Sequence, residues 1–194
     1  MKWQTLPEQE KDMERVINLP FTKEDLENIK TGDILYLNGT VYSARDAAHK
    51  RLCEQIEGGG EIPLDLKDAV IYYLGPTPAR PGQVIGSAGP TTAGRMDKYT
   101  PTLLDLGMKG MIGKGRRSED VRLSIIKNKA IYMGATGGAG ALLSKCIVES
   151  ETIAYDDLGT EAIRRMVVKD FPVTVLIDSE GTTFEEFLAR NGVK

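Results

Sequence analysis

The sequence predicts an α/β fold in which a mostly parallel or mixed sheet is flanked by helices. In the second half of the chain, short apolar segments typical of interior strands alternate with segments that have helical spacing. Hydrophobic residues make up 41% of the 194 residues and charged residues 27%, as in ordinary globular proteins. A chain of this length and composition can bury a core, so we expect a folded domain rather than a disordered chain.

The first elements precede this alternation. Residues 1–20 are polar and mixed, and we expect an N-terminal arm or a loosely attached helix there. A single domain is then expected over residues 21–194. It opens with a short helix, because Thr22 is a good N-cap residue and Asp25 follows at the third helical position. Residues 33–42 alternate β-forming side chains around an Asn-Gly pair, which predicts a strand pair or a bulged strand.

A helix with one buried face follows. Ala48, Leu52 and Ile56 recur every four positions, and three glycines at residues 58–60 end the pattern. Later strands are predicted at residues 69–74, 110–113, 130–134, 146–150 and 173–178. Later helices are predicted at residues 117–127, 140–145, 160–169 and 183–190. These elements make up the alternation on which the predicted fold depends.

Charge and hydropathy argue against two classes of partner. The chain has 25 Lys and Arg residues against 28 Asp and Glu residues, so its formal net charge is −3. Non-specific binding to nucleic acid needs a clustered basic surface, which this balance does not favour. No apolar run reaches the roughly 18 residues of a membrane-spanning helix, and the first residues are too charged for a secretory signal. We therefore expect a cytoplasmic protein.

The cysteine and histidine content limits the metal sites that the chain can build. It contains two cysteines, Cys53 and Cys146, and one histidine, His49. A zinc site or an iron–sulfur cluster needs three or four such ligands, so we expect no metal site made by this chain alone. Two widely separated cysteines do not indicate a disulfide framework either. We expect two buried thiols that pack as small hydrophobic side chains.

Three glycine-rich segments follow predicted strands. We name them the threonine loop (residues 86–97, GSAGPTTAGRMD), the lysine loop (residues 113–117, GKGRR) and the glycine loop (residues 134–140, GATGGAG). Glycine lets a backbone N–H group approach a ligand closely and allows positive φ in a turn. Each segment can therefore bind a ligand or be only a tight turn. Nucleotide binding is the weaker interpretation, because no segment is a GxxxxGK[ST] motif or a complete dinucleotide fingerprint.

Three cations accompany these segments. Arg95 lies in the threonine loop, Lys114 lies between two glycines, and Arg45 opens a predicted helix. A positive charge at a helix N-terminus opposes the helix dipole, so Arg45 needs a neighbouring anion, either a ligand or Asp46. Together the three cations would bind a dicarboxylate, since arginine binds carboxylates bidentately. The alternative is three solvated surface cations. As a lone histidine on a helix, His49 is expected to make a structural hydrogen bond rather than to catalyse a reaction.

Four motifs together resemble one family. In order and spacing they are similar to the beta subunit, or C-terminal domain, of class I iron–sulfur fumarate hydratases and tartrate dehydratases. The motifs are ARDAAHKRL (residues 44–52), GPTTAGRMD (89–97), GKGRR (113–117) and GATGGAGALL (134–143). The resemblance covers most of the chain, from about residue 22 to residue 181. It implies a swivelling β/β/α domain, which is more particular than the fold that the alternation alone predicts.

The resemblance also implies a cofactor and a partner. Enzymes of this family use an oxygen-sensitive 4Fe–4S cluster that three cysteines hold, with one iron left open as a Lewis acid. Those cysteines belong to the alpha subunit or N-terminal domain. The implied cluster is therefore ligated by a cysteine-bearing alpha subunit and not by this chain. The implied protein is one subunit of a hetero-oligomeric hydro-lyase that is active only with that partner.

Residue roles follow from the same resemblance. The two substrate arginines of the family match Arg45 and Arg95, and its substrate lysine matches Lys114. Its proposed catalytic base, a threonine that takes a proton from carbon of malate, matches Thr91, with Thr92 as the second choice. The implied substrates are the dicarboxylates malate and fumarate. Two alternatives stay open: the beta subunit of an L-tartrate dehydratase, and a stand-alone module that binds dicarboxylates without catalysis.

Overall fold

The computed structural model of the chain describes residues 14–136 and 138–192. Its strands are β1 (Glu14–Asn18), β2 (Ile34–Ser43), β3 (Val70–Tyr72), β4 (Gly110–Gly113), β5 (Ile131–Gly134), β6 (Ile147–Ala154) and β7 (Ile163–Ile177). Its helices are α1 (Lys23–Asn28), α2 (Asp46–Glu57), α3 (Thr100–Asp105), α4 (Glu119–Asn128), α5 (Gly140–Leu143) and α6 (Phe184–Arg190). Short 3₁₀ segments cover Ala93–Met96, Ser144–Cys146 and Asp156–Glu161. Within the described residues, no helix is long and apolar enough to cross a membrane.

One mixed sheet of seven strands organises the fold, in the order β1-β2-β3-β4-β5-β7-β6. Strands β1 to β5 run parallel to their neighbours, whereas β7 runs antiparallel to β5 and β6. The same β7 also pairs antiparallel with β2, from Ile34 opposite Thr174 to Ser43 opposite Arg164. This pairing closes β2, β3, β4, β5 and β7 into a ring. The predicted α/β fold with a mixed sheet and flanking helices is confirmed.

The longest strand contradicts one prediction. The helix predicted at residues 160–169 is wrong, because β7 begins at Ile163 and a 3₁₀ turn precedes it. The buried residues Ile163 and Met166 are three positions apart, which resembles helical spacing. As a strand, however, the segment pairs with β2 on one side and β6 on the other, and its two consecutive valines suit a pleated surface.

The prediction for the N-terminus is corrected in part. Glu14–Asn18 form β1, which pairs in register with residues 34–38 at the start of β2. These residues therefore belong to the sheet and are neither a loose arm nor a helix. The remainder of the predicted arm that precedes β1, residues 1–13, lies outside the described residues.

Two local predictions that follow β1 are confirmed. The hydroxyl of Thr22 accepts a hydrogen bond from the Asp25 amide at 3.0 Å, and the Asp25 carboxylate accepts one from the Thr22 amide at 2.8 Å. This reciprocal capping box begins α1. β2 is one bulged strand rather than a strand pair, with its irregularity between Leu37 and Gly39. Gly39 has a φ of +124°, a conformation that favours glycine.

Two hydrophobic cores lie on opposite faces of β3, β4 and β5. The core inside the ring includes Leu35, Leu37, Tyr72, Met133 and Phe171. The core between these strands and the helices includes Leu52, Tyr73, Leu103, Met111 and Ile125. Neighbouring residues of one strand thus face different cores, as the period of a β-strand requires. With both faces covered, the parallel strands leave their carboxyl ends as the edge where loops can form a site.

Candidate functional site

The threonine loop and the lysine loop meet at the carboxyl ends of β3 and β4. The Thr91 amide donates to the Tyr73 carbonyl at 2.7 Å, and the Lys114 amide donates to the Thr91 carbonyl at 3.2 Å. The Ala93 amide returns a hydrogen bond to the Lys114 carbonyl at 2.8 Å. Thr91 is therefore fixed by its backbone between the end of β3 and the lysine loop. The structure brings together the predicted base and the predicted substrate lysine as parts of one backbone ladder.

The glycine loop joins both of the other loops. The Ala135 amide donates to the Gly113 carbonyl at 3.1 Å, which ties the glycine loop to the lysine loop. The Ala88 amide donates to the Gly140 carbonyl at 3.0 Å, which ties the threonine loop to the glycine loop. A Cβ at position 140 would lie 2.9 Å from the Gly89 amide nitrogen, so the close approach requires glycine. The three glycine-rich segments form one cluster rather than three separate turns.

Arg45 reaches this edge from the end of β2, where it is the N-cap residue of α2. Its Nη2 atom donates to Glu161 Oε1 at 2.7 Å, and its Nε atom lies 3.9 Å from Asp46 Oδ2. The guanidinium also packs against Gly75, where a Cβ would lie only 2.7 Å from Nη1. Its side chain is 27% exposed. Arg45 is thus held on three sides in one orientation.

Glu161 supplies the anion that a cationic helix start requires. One carboxylate oxygen binds Arg45, and the other accepts a hydrogen bond from the Ala47 amide in the first turn of α2 at 2.8 Å. Burial alone would raise the pKa of the Glu161 carboxyl, but the Ala47 amide and the Arg45 guanidinium outweigh burial and hold that pKa below its ordinary value. The sequence indicated that some anion was needed; it did not indicate this residue.

Arg95 and Lys114 present cationic groups toward solvent. The Nε atom of Arg95 lies 2.8 Å from Asp46 Oδ1, and the side chain is 53% exposed. The terminal nitrogens of Arg95 form no hydrogen bond with any described residue. Lys114 is exposed and forms no ion pair within residues 14–136 and 138–192. Asp46 therefore orients Arg95 through Nε and leaves its two terminal nitrogens, which can bind a carboxylate bidentately, without a partner among the described residues.

The two threonines differ in exposure. Thr91 is partly buried, whereas Thr92 is exposed and occupies the N-cap position of the 3₁₀ segment that carries Arg95, without a capping hydrogen bond from its side chain. Thr92 also forms an isolated parallel bridge with Lys114. A cavity of about 340 Å³ is lined by Arg95, Asp46 and Glu161 among others, and Arg95 is the one predicted site residue in its lining. Of the five predicted site residues, all lie at the same edge of the sheet, and their roles stay predictions.

Arg117, a buried arginine that the sequence analysis did not single out, links the threonine loop to the lysine loop. The Arg117 side chain is fully buried, and its Nε atom donates to Asp97 Oδ1 at 2.7 Å. Its terminal nitrogens donate to Thr100 Oγ1 at 2.7 Å and to the Tyr73 hydroxyl at 3.2 Å. The other oxygen of Asp97 accepts from the Ser118 amide at 2.7 Å. This network ties the end of the threonine loop to the end of the lysine loop.

His49 in α2 makes the structural hydrogen bond that the sequence predicts. It is completely buried, its Nδ1 atom lies 3.0 Å from the Arg45 carbonyl oxygen, and its ring meets that of Tyr73 edge-on at 5.3 Å. Because a carbonyl only accepts, Nδ1 carries the proton in this hydrogen bond. Burial lowers the pKa of His49 to about 4, and the hydrogen bond to Arg45 only partly opposes this. The imidazole is therefore neutral at pH 7.

The cysteines do not fit an iron–sulfur cluster. Cys53 is buried in α2, and Cys146 is partly buried in a 3₁₀ segment, so the prediction of two buried thiols holds fully for the first only. Burial raises the pKa of both thiols, which disfavours the thiolate that binds iron. Within the described residues, no three His, Cys, Asp or Glu side chains are grouped so that they could hold a metal ion. The described residues thus offer no set of three grouped ligands for a cluster.

Comparison with known proteins assigns the chain to a family. A family model described as the fumarase C-terminus matches residues 1–187. The aerobic class I fumarate hydratase of Escherichia coli (strain K12) is 42% identical over 152 residues, which are 77% of this chain and 28% of that enzyme. Fumarate hydratase 2 of Leishmania major is 36% identical over 172 residues, which are 88% of this chain and 30% of that protein. This chain thus spans less than a third of either relative.

A shorter relative is covered nearly in full. It is a Methanocaldococcus jannaschii protein named "Putative L(+)-tartrate dehydratase subunit beta", 33% identical over 171 residues, which are 85% of this chain and 88% of that protein. All three relatives bear the names of hydro-lyases, and the matches agree with the family that the four motifs resemble. The chain belongs to the fumarase C-terminus family.

Proposed function

We propose that this chain is the beta subunit of a two-subunit iron–sulfur hydro-lyase that interconverts malate and fumarate by reversible hydration. The mutual pairing of the three loops carries the proposal, because it brings Arg95, Lys114 and Thr91 to the edge of the sheet that Arg45 reaches from the end of β2, in a member of this family. The chain supplies the groups that bind the substrate carboxylates and the group that moves a proton at carbon. An alpha subunit completes the enzyme.

In this proposal the cations bind the dicarboxylate. Arg95 offers its two terminal nitrogens to one carboxylate, since Asp46 engages only its Nε atom. Lys114 adds a point charge beside the same loop, and Arg45 binds the second carboxylate from the start of α2. The exposed hydroxyl of Thr92 is a further hydrogen-bond donor to the substrate. Two carboxylates need several cations in a site from which water is excluded, and the partner subunit would provide that exclusion.

Thr91 performs the proton transfer in this proposal. As an alkoxide, its oxygen takes the proton from C3 of malate and becomes a hydroxyl. The C3–H electron pair becomes the C2–C3 double bond of fumarate, and the C2 hydroxyl leaves as water after taking a proton from an acid of the partner. Because a free threonine hydroxyl is a very weak base, the positive charges of Arg95 and Lys114 must favour its alkoxide form. Hydration runs through the same groups in reverse.

The cluster that such enzymes use belongs, in this proposal, to the partner. The described residues of this chain do not fit it, whereas a beta subunit needs no cluster ligands. The Methanocaldococcus jannaschii relative, which this chain covers nearly end to end, is itself named as a subunit. We therefore expect a cysteine-bearing alpha subunit in a hetero-oligomer, and no activity from this chain alone.

An anaerobic purification of the tagged chain from its native host tests the proposal. We expect a second, cysteine-bearing polypeptide, iron with its broad visible absorption, and conversion of malate to fumarate in the eluate. Removal of the partner by high salt should abolish the activity, and its return should restore it. A lone chain that binds malate without iron or activity would overturn the proposal in favour of the stand-alone dicarboxylate-binding module.

L-tartrate is the second candidate substrate. It is favoured by the relative of matching length, whose name specifies L(+)-tartrate dehydratase. Tartrate differs from malate by one hydroxyl, which a pocket rejects only weakly unless it is built to do so. Measurement of kcat/KM for L-malate and L-tartrate with the purified complex decides between them. We expect the larger value for malate, and a larger value for tartrate would reassign the substrate.

A further inference from the structure

Glu161 makes two contacts, one with each oxygen of its carboxylate. Its Oε1 atom lies 2.7 Å from Nη2 of Arg45, and its Oε2 atom lies 2.8 Å from the Ala47 amide. Arg45 is a proposed substrate-binding residue, and Ala47 lies in the first turn of α2, the helix that Arg45 precedes as the N-cap residue. Glu161 is the last residue of a 3₁₀ turn that leads directly into β7, so it is anchored to the ring of strands.

We infer that Glu161 is a positioning residue of the proposed site, which acts on the substrate only through Arg45 by fixing that guanidinium and the start of α2 with one carboxylate. The inference rests on the proposed function. Arg45 has no other strong polar partner among the described residues: its Nε atom is buried without a hydrogen bond, and Asp46 is 3.9 Å away. Gly75 limits its movement sterically but supplies no charge.

Loss of the Glu161 carboxylate should therefore leave the Arg45 guanidinium in the site but no longer fixed in one orientation. Arg45 and the Ala47 amide donate to different oxygens of Glu161, and glutamine replaces one of these oxygens by a donor NH₂ group, so it cannot keep both hydrogen bonds in this geometry. An unfixed Arg45 binds a substrate carboxylate less well, in the ground state and the transition state alike. Uniform loss of binding raises KM with little change in kcat. A role in helix capping alone would instead lower the amount of folded enzyme, and KM does not depend on that amount.

The chain offers a matched control. Asp157 lies on the same 3₁₀ turn and forms two hydrogen bonds of 2.7 Å with Arg51. Arg51 lies in α2, the helix for which Arg45 is the N-cap residue. This pair joins the same two elements through the same kind of contact, but Arg51 is not a proposed substrate residue. Asp157→Asn thus removes an arginine–carboxylate pair between α2 and the turn without affecting the proposed site.

The test is steady-state kinetics of the purified two-subunit complex with L-malate. We expect Glu161→Gln to raise KM about 10- to 100-fold, the loss associated with a hydrogen bond to a charged group, with kcat changed less than about threefold. Glu161→Asp keeps the charge and should show a smaller rise, and Asp157→Asn should keep KM within about twofold of the wild type. Thermal melting of each complex reports on folding separately.

A double variant shows whether Glu161 acts through Arg45. In an Arg45→Ala background, Glu161→Gln should cause no further rise in KM, since coupled residues are not additive. A wild-type KM in Glu161→Gln, an equal rise in Asp157→Asn, or a full additional rise in the double variant would each overturn the inference while the proposed function stands. A wild-type complex that does not convert malate would overturn the proposed function and, with it, this inference.

Discussion

Backbone hydrogen bonds fix the position of Thr91. The backbone of Thr91 is bonded on one side to Tyr73 and on the other to Lys114, so its position is set by strands rather than by its own side chain. In its proposed role, the Thr91 hydroxyl must first lose a proton near cations, and such preorganisation would favour this, because the surrounding charges need not reorganise during the reaction. The weakness of threonine as a base is then offset by placement.

Thr91→Ala is expected to lower kcat for malate dehydration by orders of magnitude, with a modest change in KM, because it removes the proton acceptor and leaves the carboxylate-binding cations in place. Thr91→Ser retains a hydroxyl at the same backbone position and should keep a substantial part of the activity. Both are measured by steady-state kinetics of the two-subunit complex. Turnover near the wild-type value in Thr91→Ala would rule out this residue as the base.

His49 should make the protein sensitive to acid. Burial lowers its pKa from 6.5 to about 4, so between these values the unfolded chain binds a proton that the folded protein does not. The free energy of unfolding therefore falls as pH falls, by roughly 2–3 kcal/mol from this group between pH 7 and pH 4.5. Urea unfolding at the two pH values measures it. His49→Gln should lose less stability over this interval, and an unchanged pH dependence would contradict the assignment.

At the residue scale, the sequence predicted the cations of the site but not what holds them. Arg45, Arg95 and Lys114 lie in motifs, and a cation at a helix start indicates a nearby anion. That anion, Glu161, is 116 positions away along the chain, and its contact depends on how β7 returns to β2. Spacing along a sequence carries no information about such a contact.

At the scale of elements, β7 shows the limit of periodicity. Its buried residues include pairs three apart, which matched a helix, and its true period of two is interrupted by two exposed residues near the middle. Pairing with three other strands decides its conformation, and that pairing is a property of the whole sheet. By contrast, α1 and the bulge in β2 were predictable, because a capping box and an Asn-Gly pair act through residues only a few positions apart.

The junction between β3 and α2 gives a prediction at this scale. A Cβ at Gly75 would lie 2.7 Å from Nη1 of Arg45 and 3.0 Å from its Cδ atom, so Gly75→Ala should displace the guanidinium. We expect a several-fold rise in KM for malate with little change in the melting temperature, because the flexible side chain can move while the backbone stays in place. Gly89→Ala is the control, since the nearest atom to its new Cβ would be 3.9 Å away. Equal KM values for the two variants would contradict this steric role.

At the scale of the molecule, the predicted site residues lie outside both hydrophobic cores. The core inside the ring contains none of the predicted site residues, and Phe171 meets Tyr72 edge-on there at 5.4 Å. Phe171→Ala should cost about 3–5 kcal/mol of unfolding free energy, because it leaves a cavity in a closed set of strands. Leu142→Ala, at a side chain that is 65% exposed, should change it by less than about 0.5 kcal/mol. Urea denaturation compares the two variants, and similar losses of unfolding free energy would contradict a tightly packed core inside the ring.

The closed ring also has a consequence for the time during which the chain is being synthesised. β2 leaves the ribosome with β1 already available for one of its edges, but its antiparallel partner begins at Ile163, some 120 residues later. At roughly 5–20 residues per second, the other edge waits about 6–24 s for β7. An open strand edge is a template for pairing with a neighbouring chain. The nascent polypeptide is therefore most vulnerable to aggregation between the synthesis of β2 and that of β7, and slower translation prolongs that exposure rather than relieving it.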